Sequence, residues 1–250
     1  MNTILNVKNL RKNYEKFLLN DLTFQIFEKE IVGFLGPNGS GKTTTLKLLI
    51  NSIPADGGEI FFLGEKIKKS HIEFRRYIGY MPETGTPYEF LTAKEYLEFM
   101  MDVYKVKKND KKIDELLSIF DLKDVKKRIK NFSKGMKQKL LFISAIIHDP
   151  KLLILDEPFN SVDPQTVYLM KKILIGLKDE KTSIIFSSHI LEIVEKLSDR
   201  IILLNNGTKV YEGEINKIKK EESVEELFNR LSSSNDADEN LKKVIEIIKE

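Results

Sequence analysis

A mainly parallel α/β sheet, covered by helices on both faces, is the fold class that this sequence predicts. Three observations carry the prediction. Short apolar runs suited to buried strands, among them Glu30–Leu35, Leu152–Leu155 and Ser183–Ser187, alternate with stretches of helical spacing. The first of these runs passes directly into a glycine-rich loop that opens a helix. Residues 88–130 carry helical patterns and no convincing strand, which reads as a helical insertion.

Taken in order, the first 30 residues alternate apolar and polar in short runs (Ile4–Val7, Leu22–Phe27), the pattern of antiparallel strands. After the strand at Glu30–Leu35 and its loop, Thr43–Asn51 has helical spacing, and the Pro54 to Gly58 segment is expected to end that helix. Glu59–Leu63 and Tyr77–Met81 read as further strands. In the insertion, Thr92 is placed to cap a helix running through Val103, and Asp110–Phe120 forms a second amphipathic one. Lys134–His148 is a helix, Leu152–Leu155 a fully apolar strand ending in Asp156 and Glu157, and Val167–Leu177 with Ser183–Ser187 repeats the helix-then-strand pattern. Residues 218–250 are highly charged, with a final helical pattern at Leu241, Val244, Ile245 and Ile248, and are expected to pack on the core.

With 41% hydrophobic and 32% charged residues in 250, the composition is that of a globular domain able to bury a large core. Its 41 basic and 38 acidic residues leave a formal charge of +3, which argues against a dedicated nucleic-acid binder. Cysteine is absent, so disulfides and thiolate metal sites are excluded. The first residues, broken by charges, do not match a signal peptide, and no run of about 18 apolar residues occurs for a membrane-spanning helix. A soluble, cytoplasmic chain is expected, held at a membrane only by something else.

The chemistry concentrates in two motifs. Gly36-Pro37-Asn38-Gly39-Ser40-Gly41-Lys42-Thr43, followed by Thr44, completes the pattern G-x-x-x-x-G-K-S/T between a strand and a helix. Its glycines let backbone N–H groups turn toward phosphate oxygens, and the helix N-terminus adds its positive dipole end. Lys42 supplies a fixed charge for the outer phosphates, and the Thr43 hydroxyl is suited to Mg2+. The second motif is the buried strand that delivers Asp156 and Glu157 at its C-terminal end, where ligands bind in open α/β sheets. Asp156 can hold Mg2+ through water, and Glu157 can orient or deprotonate an attacking water. His71 and His148 lie among polar or loop residues and receive no role.

Over roughly residues 3 to 215 the chain resembles the ABC ATPase family. Asn131-Phe132-Ser133-Lys134-Gly135-Met136 is similar to the family's signature loop. The usual version has Leu before the serine and Gly-Gly-Gln after it, but Ser133 and Gly135, the pair that faces the γ-phosphate of a second copy, are kept. Asn160 to Asp163 resembles the loop that crosses the dimer interface. His189, in a Ser-Ser-His run, resembles the switch histidine that senses the γ-phosphate. Tyr14 stands where the family places the aromatic that stacks on adenine. Glu83 occupies the position of a glutamine that contacts Mg2+ and the attacking water, adding a negative charge there.

The resemblance implies a P-loop, RecA-like ATPase domain over residues 1–217. Its core comprises 1–87 and 131–217, its helical insertion 88–130, and a charged helical extension follows over 218–250. It also implies ATP and Mg2+ as ligands and Glu157, His189 and Lys42 as the catalytic set. A second ATPase subunit and a separate integral membrane permease are the implied partners, with the chain peripheral on the inner face of the membrane and no nucleic acid involved. The details at Ser133–Gln138, Glu83 and Ser187–His189 resemble ATPases of small two-subunit exporters. A soluble member acting on ribosomes or nucleic acid is the alternative, though such members resemble tandem domains or carry long coiled coils. A GTPase or small-molecule kinase explains neither Ser133–Met136 nor His189, and no Asn-Lys-x-Asp motif is present.

Overall fold

The computed structural model describes residues 2–15, 17–68, 70, 72–123 and 127–232. His71 and the helical pattern at Leu241–Ile248 lie outside them. Two sheets share the work. Strands β1 (Thr3–Tyr14), β2 (Phe17–Phe27), β4 (Gly57–Phe62) and β5 (Glu65–Lys66) form an antiparallel four-stranded sheet in the order β2-β1-β4-β5. Strands β3 (Ile31–Leu35), β6 (Ile78–Met81), β7 (Leu152–Leu155), β8 (Ser183–Ser187), β9 (Arg200–Asn205) and β10 (Thr208–Glu214) form a six-stranded sheet in the order β10-β9-β3-β8-β7-β6. All its neighbours run parallel except the β9–β10 hairpin.

The central sheet is buried on both faces, and alternate residues of one strand serve different cores. Ile31 and Leu35 of β3, with Leu153 and Leu155 of β7, point into a cluster shared with the helices α4 (Lys134–Ile146) and α5 (Pro164–Asp179). Val32 and Phe34, with Leu152 and Ile154, face a second cluster built with the antiparallel sheet and α1 (Lys42–Leu49). Gly79 lets β6 approach α4, because a Cβ there would stand 2.0 Å from the Ala145 carbonyl oxygen.

The insertion contains α2 (Ala93–Val103) and α3 (Asp110–Ile119) and, among its described residues, no strand. Thr92 caps α2 as the sequence suggested, through a capping box with Glu95 that satisfies the N–H groups of both residues. Ile113, Leu117 and Leu97 turn inward and join the larger cluster. After the short α6 (Leu191–Leu197), α7 (Ile215–Ile218) and α8 (Val224–Ser232) return to the core, where Ile218, Val224 and Leu227 are buried. The charged extension read from residue 218 thus begins at the last residue of α7. No helix among the described residues is long and apolar enough to cross a membrane.

Two local expectations are corrected. The α1 helix ends at Leu49, ahead of Pro54, and Gly57 and Gly58 already belong to β4. Gly58 is there because the strand crowds its neighbour: a Cβ would meet the Asn9 oxygen at 2.3 Å. His148 is not in a polar loop environment. It is 6% exposed, stacks on Tyr104 with ring centroids 3.5 Å apart, and sets Nε2 against the Ile78 carbonyl. Burial pushes its pKa down to about 4.

Candidate functional site

The buried strand β3 carries the chain to Gly36, where it turns back on itself. A side chain is excluded at Gly36, since a Cβ would stand 2.4 Å from both the Leu204 oxygen and Ser40 Oγ. Gly41, the residue before α1, has φ of 105° and faces the Phe17 ring, whose Cζ would be 2.7 Å from a Cβ. Asn38 and Gly39 are exposed at the loop's tip, with Pro37 half-buried beside them. Lys42 folds back over the loop and donates from Nζ to the Gly36 oxygen at 2.6 Å and the Pro37 oxygen at 3.2 Å. Burial pushes its pKa down, while Glu157, Asp156 and Glu83 act in the opposite direction.

Strand β7 lies one strand away from β3, with β8 between them. It leads directly into Asp156, which is 1% exposed. One oxygen, Oδ1, accepts from Ser187 Oγ at 2.6 Å, and the same Ser187 hydroxyl accepts the Glu157 N–H at 2.9 Å. The hydroxyl at the end of β8 therefore fixes both acids relative to each other. Glu157 has φ of +49°, and its Oε2 lies 2.9 Å from His189 Nδ1. Gln138 Nε2, from α4, donates to the Glu157 carbonyl at 3.3 Å.

These elements enclose a cavity of about 630 Å³. Gly39, Gly41, Lys42, Thr43 and Thr44 line one side; Glu83, Asp156 and Glu157 line the other. Tyr14, 44% exposed, and Phe17 stand at the mouth, paired with each other across the β1–β2 hairpin. The volume falls within the usual size of a small-molecule site. Asp156 Oδ2 is buried and has no hydrogen-bond partner in the structure. With the Thr43 hydroxyl and Glu83 lining the same cavity, this oxygen gives a hard donor set that fits Mg2+. Among the described residues no three or more His, Cys, Asp and Glu side chains gather as a metal cluster, so phosphate oxygens and water would complete the shell.

Ser133, Gly135 and His189 do not line this cavity. Ser133 caps α4 by accepting the Met136 N–H at 3.2 Å, and a Cβ on Gly135 would meet the Ser161 oxygen at 2.8 Å. Asp163 caps α5 through Thr166. Three contributors escaped sequence reasoning. Phe17 was signalled by its place opposite Tyr14 on the hairpin, and Ser187 by its place at the end of the strand beside Asp156. Gln138 carries no local signal, because its contact with the Glu157 carbonyl spans 19 positions of sequence.

A glycine loop between strand and helix, facing two acids at the end of a nearby parallel strand, defines a P-loop nucleotide-binding protein. The model of the family described as "ABC transporter" matches residues 19–160. The chain belongs to that family, as an ATP-binding cassette. It is 34% identical over 214 residues to the ABC transporter ATP-binding protein NatA of Bacillus subtilis, covering 84% of this chain and 87% of that protein. It is 37% identical over 218 residues to an uncharacterized ABC transporter ATP-binding protein of Methanocaldococcus jannaschii, covering 86% and 79%. Against a Nostoc relative, 37% identical over 211 residues, the match covers 82% of this chain and 62% of that protein. A solved ATP-binding subunit of an ABC transporter superposes with a TM-score of 0.85 at 32% identity, over 91% of this chain and 99% of that one.

Proposed function

We propose that the chain is the ATP-hydrolysing motor of an ABC transporter, in which two ATPase subunits sandwich two ATP molecules and drive a separate membrane-spanning subunit. The carrying observation is that the site is divided. The phosphate loop and both acids meet in one cavity, while Ser133 and Gly135 lie outside it, at the start of a helix whose N-terminal end is suited to face a phosphate. A second subunit brings the missing face.

Within one subunit the residues divide the chemistry as follows. Lys42 exchanges its carbonyl partners, Gly36 and Pro37, for the outer phosphates of ATP. Thr43, Asp156 and Glu83 would hold Mg2+, which would supply positive charge against the phosphate oxygens. Glu157 orients or deprotonates the attacking water, and His189 fixes the Glu157 carboxylate through Nδ1. Tyr14 offers its face to adenine.

Tyr88 and Phe90 are 51% and 63% exposed, and Tyr88 packs edge-on against Phe99 with centroids 5.1 Å apart. This aromatic patch, between Glu83 and α2, supports docking of the membrane subunit there. The subunit then lies on the inner face of the membrane. The run Ser133–Gln138, with Glu83 and His189, supports export as the direction.

The test is Glu157→Gln. The variant should bind Mg-ATP, hydrolyse it roughly 10²–10⁴-fold more slowly, and accumulate as a dimer that light scattering detects only when ATP is added. Ser133→Arg should abolish that dimer and leave ATP binding to the monomer intact. A Glu157→Gln protein that stays monomeric at saturating ATP, alone and with any ATPase that co-purifies with it, defeats the divided-site reading.

A further inference from the structure

The β9–β10 turn, Asn205-Asn206-Gly207-Thr208, sits between the two sheets at the back of the phosphate loop, and no motif marks it as part of the site. Its backbone meets the loop twice. The Leu204 oxygen fills the space that a side chain on Gly36 would need, and the Gly207 N–H donates to the Ser40 oxygen at 3.1 Å. On its other side the Gly207 oxygen accepts the Asn20 N–H at 2.9 Å. Asn20 belongs to β2, the strand that begins at Phe17 and pairs with the strand ending at Tyr14. Gly207 is thus bonded through its N–H to the loop that would hold the phosphates, and through its carbonyl to the hairpin that would hold the base.

The contact leaves no room for a side chain. Gly207 has φ of +73°, and a Cβ there would lie 1.8 Å from the Leu18 oxygen. On the turn's side, β9 is registered against β3 and β10 in the central sheet. On the hairpin's side, β2 is an edge strand paired in its sheet to β1 alone, and the nearest atoms that such a Cβ would meet belong to it. Any side chain at position 207 therefore displaces the hairpin and leaves the loop in place.

We propose that Gly207 is a positioning residue for nucleotide, setting the separation between the Tyr14–Phe17 aromatic platform and the phosphate loop. The proposal rests on the ATP-binding reading of the cavity. Its chemical consequence is specific: base stacking and phosphate binding are coupled through one residue, so a substitution removes the base's contribution to affinity and spares that of the phosphates.

The test compares ATP with inorganic tripolyphosphate, which engages only the loop, by calorimetric titration of the unaltered chain, Gly207→Ala and Gly64→Ala. Gly64 has φ of +82° with nothing within 4 Å of a Cβ, so its variant carries the same backbone strain without a collision. Gly207→Ala should lose roughly tenfold or more in ATP affinity with tripolyphosphate affinity kept, so that the preference for ATP narrows. Gly64→Ala should keep both affinities. If Gly207→Ala does not fold, Asn20→Pro removes the N–H given to Gly207 from an edge strand, without adding an atom to the turn, and is read the same way. An unchanged ratio of the two affinities in the folded variant, whether or not both fall, overturns the positioning role. Failure of the unaltered chain to bind ATP overturns the functional reading and this inference with it.

Discussion

Glu157 is held in a left-handed backbone conformation that a non-glycine residue adopts only when its surroundings compel it. The compulsion is visible: the Ser187 hydroxyl takes its N–H and the Gln138 amide takes its carbonyl. The carboxylate is thereby aimed at His189 and the cavity and away from the continuation of β7. His148 shows the opposite use of an ionisable group, buried for packing alone. Its folded pKa of about 4 lies below the ordinary 6.5, so the unfolded chain takes up the proton first as pH falls. Stability should be untouched by this group above 6.5 and should decline as pH drops from there toward 4. The slope is at most roughly 1.4 kcal/mol per pH unit. Urea unfolding across that window should show a shallower decline in His148→Phe, which keeps a ring on Tyr104 and cannot be protonated. Residue types at Lys42, Thr43, Asp156 and Glu157 were legible because each stands at a fixed offset from a strand or a glycine. Ser187 was harder to read, because its meaning depends on which strand lies next to β7.

At the scale of elements, the strands and helices nearest the loops were legible from period and from glycine, and α2 was legible from its cap. The β9–β10 hairpin carries an Asn-Gly pair at its turn after four apolar residues, but neither strand was among those expected from the sequence. What the chain could not disclose is the order of strands, since β3 pairs with β8 and β9 and with nothing adjacent in sequence. The last helix among the described residues was obscured by charge. Val224, Leu227, Phe228 and Leu231 nonetheless recur at helical spacing, and the first two are fully buried against the main cluster. Asn205 Nδ2 donates to the Leu231 carbonyl, closing the last turn of α8 onto β9. Leu227→Ala should therefore lower global stability by roughly 2–4 kcal/mol, measured as a shifted urea midpoint with unchanged slope. A midpoint equal to that of the unaltered chain would mean that α8 lies outside the cooperative unit.

For the molecule as a whole, the strand that feeds the phosphate loop is among the first third of the chain, and both of its sheet neighbours lie in the last third. Closing such long loops must precede the reward of strand pairing, which makes this sheet slow to assemble. A chain truncated after Lys181 keeps the loop, Asp156 and Glu157 but loses β8, β9 and β10. It also loses Ser187, which holds the two acids, and Gly207, which braces Ser40. ATP should protect the full chain from protease at residues 36–44 and leave the truncated chain unprotected; equal protection would mean that the loop forms without its neighbours. During synthesis, then, the phosphate loop and the two acids are translated well before the strands that hold them in place. A nascent chain that has emerged only as far as β7 should be unable to grip ATP until the strands that complete the sheet follow. On this expectation, a product interrupted before β8 would carry the motif without the grip.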